Sequence, residues 1–370
     1  MAAIVLFTNA VYSALTDMCI NLRVDDHDLG NYAKYYNMFK VGVEPYNKYF
    51  RIINTDNVPT YVFNGANTIL STTYPAISEA TVTLDQFRQI ELSVEHFRSK
   101  TAMGSATVFS EFVSNVEAWL SDTFALFMGS MANVYIGVTA PGSGSAAKKS
   151  QTVTFSKSTG SGNANEESLL RIRAGEAAQA VQRIIDEMKD ARTDYNSLGF
   201  RRSTSAPIII WNEKYARMLK SGLSGSTQFN QVDLQLNNVM PERFFGVLAT
   251  AAIASADGSK DRAAVEQDIT VSSVDYHLMP GDLIPTGGAI AASSGLAYQC
   301  ASAEGSGVTA NDVVCKILDP DAIIFLEGDK TATSFENPKG HTRNNWLTWG
   351  YGVGTDTGKA LVTLKAAIAT

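Results

Sequence analysis

The sequence has few cysteines and few charges, and each shortage argues against a class of protein. Its three cysteines, Cys19, Cys300 and Cys315, are too few and too scattered for a disulfide framework or a zinc site. Charged residues make up only 18% of the chain, and the formal net charge is −7. Lys148-Lys149 and Arg201-Arg202 are the only adjacent basic pairs. The basic face that tight nucleic-acid binding requires is therefore not predicted.

Long apolar runs are also missing. No stretch approaches the roughly 18 apolar residues of a membrane-spanning helix. The apolar start at residues 1–7 is short and has no Lys or Arg before it, so a secretory signal is not predicted. Apolar residues make up 45% of the chain, which is ordinary for a folded domain. We therefore expect a soluble, intracellular protein with one large core or two moderate ones.

The motifs of common enzyme classes are absent as well. Residues 142–149 are rich in Gly, Ser and Lys, but no Gly precedes the Lys as a phosphate-binding loop requires. No Gly-x-Ser-x-Gly elbow occurs, and His96, His277 and His341 are isolated in the sequence. Residues 25–28 include metal-ligand types, but consecutive residues cannot all face one ion, so a solvated turn is expected. The sequence predicts no enzyme, no cofactor and no metal site, and leaves ion binding at residues 25–28 open.

The chain does contain a half-exposed strand that leads into a long helix. Residues 81–98 alternate apolar with polar side chains, and the apolar set is Val82, Leu84, Ile90, Leu92 and Val94. This period of two predicts a strand with one exposed face. Farther on, apolar side chains recur at helical spacing, namely Phe109, Phe112, Val113, Val116, Leu120, Phe124, Phe127, Met131 and Val134. They predict a helix that Ser105 caps and that ends near Tyr135, roughly 45 Å away at 1.5 Å per residue.

The remaining segments predict a mixed order of helices and strands. Residues 1–45 are interpreted as an arm. Residues 49–63 are interpreted as one side of a long two-stranded loop, with 81–98 as its return side. The later predicted elements are a Gly- and Ser-rich loop at 137–165, a helix at 166–191, a buried strand at 207–211, a helix capped by Asn212, short strands within 254–312, strands at 313–318 and 322–326, and a hairpin of 346–353 with 359–368.

This order of elements resembles the tailed-bacteriophage major capsid proteins, a fold shared with encapsulins. The likeness is greatest to small short-tailed phages, whose capsid subunits carry a late Asn-Pro-basic-Gly turn followed by an aromatic strand. Here the turn is Asn337-Pro338-Lys339-Gly340 and the strand is 346–351. The resemblance implies an α+β fold with five parts: an N-terminal arm (1–48), an extended loop (49–100), a peripheral domain with the spine helix, the Gly-rich loop and the second helix (101–200), an axial domain with a possible insertion at 251–312 (201–330), and a C-terminal hairpin that returns to the peripheral domain (331–370).

The resemblance also implies a function. The chain would be a structural shell protein that self-assembles, as hexamers and pentamers, into an icosahedral capsid enclosing phage double-stranded DNA. Because no charged N-terminal scaffolding region is visible, the resemblance implies a separate scaffold protein or none, together with a portal. The protein would assemble in the bacterial host cytoplasm and become part of the virion capsid. It would lie close to the packaged DNA without binding it specifically, and it would contact no membrane. An encapsulin-type cargo shell and a β-rich tail or binding protein remain alternatives, and crosslinking of subunits stays open.

The residues expected to contact a neighbouring subunit are charged or aromatic and lie in the extended loop or the C-terminal segment. They are Asp85, Arg88, Glu91, Glu95, Arg98, Lys339, Arg343 and Trp346. The aromatic run that includes Phe335, Trp346, Trp349 and Tyr351 has two interpretations. It can form a sheet core, or it can form a subunit contact, where Trp and Tyr are enriched. The two interpretations are compatible.

Overall fold

The computed structural model describes residues 32–42, 49–58, 60, 74–95, 106–138, 148–157, 163–223, 234–248, 253–254, 261–290, 297–300, 313–337, 339 and 342–368. Several sequence predictions fall on other residues. The Ser105 cap, the acidic cluster at 25–28, His96, Arg98 and His341 all lie outside the described ranges. The described residues form a mixed α+β structure, as predicted.

Four α-helices and one short 3₁₀ helix are present in the described part of the chain. They are α1 (Lys34–Phe39), α2 (Ala106–Val138), α3 (Asn163–Lys189), α4 (Glu213–Gly222) and the 3₁₀ turn Glu242–Phe244.

The strands vary from short bridges to long ribbons. They are β1 (Lys40–Gly42), β2 (Tyr49–Thr55), β3 (Ile77–Thr83), β4 (Gln86–Glu95), β5 (Ser150–Phe155), β6 (Ile208–Asn212), β7 (Val239–Met240), β8 (Gly246–Leu248), β9 (Ile253–Ala254), β10 (Asp261–Ala263), β11 (Gln267–Val271), β12 (Val274–Leu278), β13 (Ala289–Ile290), β14 (Ala297–Cys300), β15 (Val313–Leu318), β16 (Ile323–Asn337), β17 (Thr342–Thr355) and β18 (Leu361–Ile368). Two larger sheets have the orders β1-β16-β17-β4 and β5-β18-β15-β6-β7. Smaller sheets are β10-β14-β8, β11-β12, β13-β9 and β2-β3.

The chain divides into two compact units, and the first comprises residues 1–50, 83–129 and 325–353. Its described part holds the four-stranded sheet and the first part of α2. Aromatic rings form its core: Phe124 of α2 meets Trp349 of β17 edge-to-face at 5.1 Å between centroids, and Phe127 meets Tyr351 at 5.7 Å. Such pairs add stability beyond the area they bury.

The second unit comprises residues 51–82, 130–324 and 354–370. Its five-stranded sheet packs against α3 and α4, and β15 in the middle of the sheet is buried along its whole length. The helix predicted at 166–191 is confirmed as α3, whose buried face includes Ala174, Val181 and Met188. The predicted cap of α4 is confirmed, because the Asn212 side chain accepts a hydrogen bond from the Lys214 amide at 3.1 Å.

The long helix is confirmed as α2, which ends at Val138 rather than near Tyr135. Phe124, Phe127, Met131 and Val134 of the predicted stripe are buried, and Leu120 is half-buried. The side chains of Phe109, Phe112, Val113 and Val116 lie outside the described residues.

The prediction of one continuous strand over 81–98 is wrong. Residues 77–83 form β3, which pairs with β2, whereas residues 86–95 form β4, which pairs with β17. The break falls at Leu84, whose side chain lies against two glycines of the neighbouring sheet strands. A Cβ at Gly328 or Gly350 would come within 2.9 or 2.7 Å of that side chain. The chain therefore leaves one ladder and enters another at Leu84, where the alternation of apolar residues continues without interruption.

The predicted hairpin of 346–353 with 359–368 is also wrong. These segments lie in β17 and β18, which belong to different sheets. β17 pairs antiparallel with β4, and β18 pairs antiparallel with β15 and parallel with β5. In its own sheet, β17 lies next to β16, the strand that precedes it in the sequence. Alternation of side chains shows that a segment is a strand but does not select its partner. The division of the chain into the five named parts stays a prediction.

Candidate assembly surfaces

β4, at the edge of the four-stranded sheet, and its neighbour β17 present an exposed face. The two strands pair antiparallel from Gln86↔Tyr351 to Glu95↔Thr342, and directly opposed residues share a face. Phe87, Gln89, Glu91 and Ser93 of β4 are exposed. Their partners on β17 are, in the same order, Gly350, Thr348, Trp346 and Asn344. We call this set of eight residues the sheet face.

An exposed aromatic ring lies on the sheet face. The Phe87 side chain is 62% exposed, although phenylalanine is usually buried. Gly350 makes room for it, since a Cβ there would come within 3.1 Å of the ring. Nearby, the Asn344 amide donates a hydrogen bond to the Glu91 carboxylate at 3.3 Å, and Trp346 is half-buried opposite Glu91. Mixed aromatic and polar surfaces of this kind are common in protein contacts.

Two of the predicted contact residues meet on the sheet face, and a third lies on the other side of the sheet. Glu91 and Trp346 oppose each other in register. Arg88 is half-buried opposite Trp349, and its guanidinium lies 5.9 Å from the centroid of the Phe127 ring. Arg88 therefore contacts the helix α2 and does not share a face with Glu91.

The other predicted contact residues are dispersed. Asp85 is exposed between β3 and β4, and Lys339 is exposed in the connection after β16. Glu95 ends β4 and Arg343 lies opposite Val94, but the side chains of both are outside the described residues, as is Arg98. In the aromatic run, Trp349 and Tyr351 are buried in the core, as one interpretation expected, and Phe335 is 61% exposed, so its subunit contact stays a prediction.

A second exposed surface belongs to the other unit and is formed by the two-stranded ribbon β2–β3. Arg51, Ile53, Ile77 and Glu79 are exposed and alternate with covered residues. We call these four residues the ribbon face. Ile53 and Ile77 are 59% and 65% exposed. Arg51 and Glu79 form an ion pair across the two strands, and this hydrogen bond lowers the pKa of Glu79.

The ribbon face was only partly accessible to sequence reasoning. The predicted extended loop at 49–100 contains all four residues of the ribbon face, but none of them was predicted to be a contact residue. The alternation of Arg51 and Ile53 with Ile52 and Asn54 was the available signal.

The opposite side of the ribbon is buried. Ile52, Asn54 and Val82 are each less than a tenth exposed. The Asn54 side-chain amide donates to the Asp356 carboxylate at 2.6 Å. Farther along β2, Arg202 donates to the Thr55 carbonyl oxygen. The ribbon is therefore exposed on one face and packed within its own subunit on the other.

His277 is not isolated, contrary to the sequence interpretation. Its ring lies between two carboxylates, with Nδ1 2.6 Å from Asp268 and Nε2 3.1 Å from Glu266. The hydrogen bond with Asp268 is the main cause that raises the histidine pKa. Both ring nitrogens thus face carboxylates rather than a nucleophile. Within the described ranges, no group of His, Cys, Asp or Glu side chains is arranged to hold a metal ion.

The middle of the five-stranded sheet contains two buried ionisable groups. Cys315 on β15 is buried, and burial raises the pKa of its thiol. Its neighbour Lys316 is 3% exposed and donates to the Thr363 hydroxyl at 3.0 Å. Burial, helped by the charge of Lys365, lowers the pKa of Lys316 to about 7. Neither group is accessible to a substrate.

None of the helices in the described part of the chain is both long enough and apolar enough to cross a membrane.

Comparisons with known proteins address the fold and the family. A family model described as Phi29-like phage major capsid protein matches residues 5–359. A chain in the capsid structure of Staphylococcus phage Andhra has a TM-score of 0.59 at 11% identity, and the match covers 89% of this chain and 83% of that chain. A chain in the structure of head fiber and inner core protein gp22 of native bacteriophage P68 has a TM-score of 0.54 at 12% identity, covering 89% and 84%. The comparison with curated proteins found no match. At these identities the structural likeness shows the fold alone, and it confirms the predicted tailed-phage capsid fold.

Proposed function

Since the chain belongs to the Phi29-like phage major capsid protein family, it is a structural protein of the phage capsid shell. We propose that it forms hexamers and pentamers that close into an icosahedral shell around phage double-stranded DNA. The observation that carries the proposal is the family match over residues 5–359. The alternatives of a cargo compartment and of a tail protein have no comparable support.

The proposed contacts between copies use the ribbon face and the sheet face. One side of the ribbon is already packed within its own subunit, so the exposed ribbon face is the side that a neighbouring copy can cover. Ile53 and Ile77 would leave water when the ribbon face binds a neighbouring copy. Such a contact joins different patches on the two copies, and repeating it by rotation produces closed rings.

The sheet face and the predicted charged residues complete the proposed contacts. Glu91 and Trp346 lie together on the sheet face, while Asp85 and Lys339 are exposed elsewhere. Glu95, Arg98 and Arg343 remain proposed contact residues on the basis of the sequence. Exposed ion pairs contribute little individually, so Phe87, Trp346 and the two isoleucines would supply most of the contact energy.

The other proposed partners are a separate scaffold protein, a portal and the packaged DNA. Net charge of −7 and the lack of basic runs favour a shell that encloses DNA without binding it tightly. Assembly in the host cytoplasm fits the three scattered cysteines, which need no oxidising compartment. The role requires no enzymatic step and no cofactor.

The test is assembly of the purified chain. Expressed alone or with the scaffold protein of the same phage, the chain should sediment as rings or closed shells that electron microscopy resolves. A monomer that persists at high concentration under both conditions would contradict the proposed function. Particles recovered after infection should contain double-stranded DNA, and shells filled with protein cargo would favour the compartment alternative.

A further inference from the structure

The buried face of the ribbon β2–β3 lies against the end of β17 and the turn that follows it. This segment is Gly354-Thr355-Asp356-Thr357-Gly358, and both of its glycines face ribbon side chains. A Cβ at Gly354 would clash with the Val82 side chain, and a Cβ at Gly358 would clash with the Asn54 side chain. The glycines are therefore needed for close approach, and the turn is shaped to receive the ribbon.

One buried hydrogen bond joins the ribbon to this turn. Asn54 is 6% exposed and Asp356 is 7% exposed. The same carboxylate oxygen of Asp356 accepts from the Asn54 amide at 2.6 Å and from the Gly358 backbone at 2.8 Å. The Asp356 backbone amide donates to the Ala322 carbonyl at 2.9 Å, which fixes the turn to the sheet connection after β15.

Further hydrogen bonds next to this one hold the end of β2 in place. Arg202 donates to the Thr55 carbonyl, and the Arg201 amide donates to the Asp56 carboxylate at 3.2 Å. The Asp56 amide donates to the Ala76 carbonyl at 2.8 Å, which ties the two strands of the ribbon together at the same level. The end of β2 is thus held by Asp356 and by Arg201 and Arg202, while the ribbon face is exposed.

We infer that Asn54 and Asp356 are positioning residues for assembly: their contact sets the angle of the ribbon, and the angle decides whether the ribbon face meets the neighbouring copy in a geometry that closes. This inference rests on the proposed function as a shell subunit. Asn54 follows Ile53 directly in β2, so a change in its contact with Asp356 displaces the ribbon face. A shell repeats the contact at every subunit, so an error in angle accumulates and prevents closure.

The test replaces the hydrogen bond with repulsion and then restores it. Asn54→Asp places two carboxylates in contact, and like charges this close destabilise each other. The double variant Asn54→Asp/Asp356→Asn restores one amide and one carboxylate with their positions exchanged. The amide introduced at position 356 can donate to the carboxylate introduced at position 54, while its oxygen still accepts from Gly358. The full-length chain is assembled with its scaffold at pH 8, and closed shells are counted by electron microscopy.

Asn57→Asp is the matched control. It adds the same charge three residues away, where the side chain is exposed. We expect Asn57→Asp to assemble like the wild type. Asn54→Asp should reduce the yield of closed shells by about tenfold or more, because it leaves buried polar groups unsatisfied. The double variant should recover most of that loss. Lowering the pH to 5 should partly restore Asn54→Asp, because one of the two carboxyl groups then carries a proton.

A purely structural role gives a different result. If the pair only stabilises the fold, Asn54→Asp lowers the melting temperature of the subunit and the shells that form are normal. For a positioning role, Asn54→Asp lowers the melting temperature but the subunit stays folded at the assembly temperature, open sheets or tubes replace closed shells, and deuterium exchange of the unassembled subunit rises in β2 and β3 but not in β15. Closed shells of Asn54→Asp at wild-type yield would overturn the inference. So would a double variant that folds but does not close. A wild-type chain that never assembles would instead count against the proposed function.

Discussion

Lys316 carries a buried amine in the middle of the five-stranded sheet. It lies opposite Thr363 on one side and Ile210 on the other. Its folded pKa is about 7, against an ordinary value of 10.5. Between these values the unfolded chain keeps the proton and the folded chain releases it. Because the unfolded state then binds more protons, the free energy of unfolding should rise as the pH increases from about 7 to 10.5.

We therefore expect Lys316→Met to raise the melting temperature at pH 7 and to flatten its dependence on pH above 7. The methionine fills a similar volume and needs no proton. Thermal unfolding at several values between pH 7 and 10 measures both effects. Lys157→Met, at an exposed position, is the control and should change neither. If the wild type and Lys316→Met have parallel pH profiles, Lys316 remains charged in the folded state.

The sequence predicts the strand that contains Lys316 but not the burial of its amine. A single lysine in the run from Val313 to Leu318 usually marks the exposed edge or end of a strand. Its burial follows from β6 and β18 pairing on both sides of β15, and this tertiary arrangement has no local signature.

At the scale of elements, α2 depends on its aromatic residues. Phe124 is 8% exposed and meets both Tyr36 and Trp349 edge-to-face. Truncating a buried phenylalanine leaves a cavity, so Phe124→Ala should cost about 3–5 kcal/mol of stability. Trp119 on the same helix is 37% exposed, and Trp119→Ala should cost much less. Chemical denaturation of the two variants compares them. Equal losses would show that the stripe of α2 is not the core of its unit.

The two faces of β4 should respond differently to charge reversal. Arg88 lies over Phe127, so Arg88→Glu puts a carboxylate against the negative face of an aromatic ring and should lower the melting temperature. Glu91 is exposed, so Glu91→Lys should leave the fold intact and reduce assembly. Circular dichroism and sedimentation of each single variant separate the effects. Unfolding by Glu91→Lys would show that the sheet face is not a free surface.

Sequence patterns identified these elements much better than their partners. The period of α2 and the alternation around Ile90 are local properties, so both elements were predicted in type. The junction at Leu84 depends on glycines that are far away in the sequence, and no local pattern reveals that Leu84 lies against Gly328 and Gly350. For the same reason β17 was predicted beside β18, although it lies between β16 and β4.

At the scale of the whole molecule, the family assignment came from the order of elements, and it was confirmed. The contact residues were predicted from charge, which finds exposed positions but not shared faces. Of that set, Glu91 and Trp346 meet, whereas the exposed isoleucines of the ribbon face were missed. Isoleucine in an alternating strand usually indicates a core, so only the structure could show which parity is covered.

The ribbon face gives the sharpest test of how whole subunits join. Ile53→Lys/Ile77→Lys places two cations where the proposed contact excludes water, and burying an unpaired charge is costly. We expect this variant to remain a folded, soluble subunit and to form no closed shells. Ile53→Leu/Ile77→Leu keeps the apolar surface and should assemble.

Because the Arg51–Glu79 pair is satisfied within one chain, raised salt should weaken wild-type assembly only slightly if the isoleucines dominate. Shell formation by the lysine variant, measured by sedimentation and electron microscopy, would exclude the ribbon face as a subunit contact. A strong loss of wild-type shells in salt would instead move the main contact to charged residues such as Glu91, since screening acts on exposed charges and not on apolar burial.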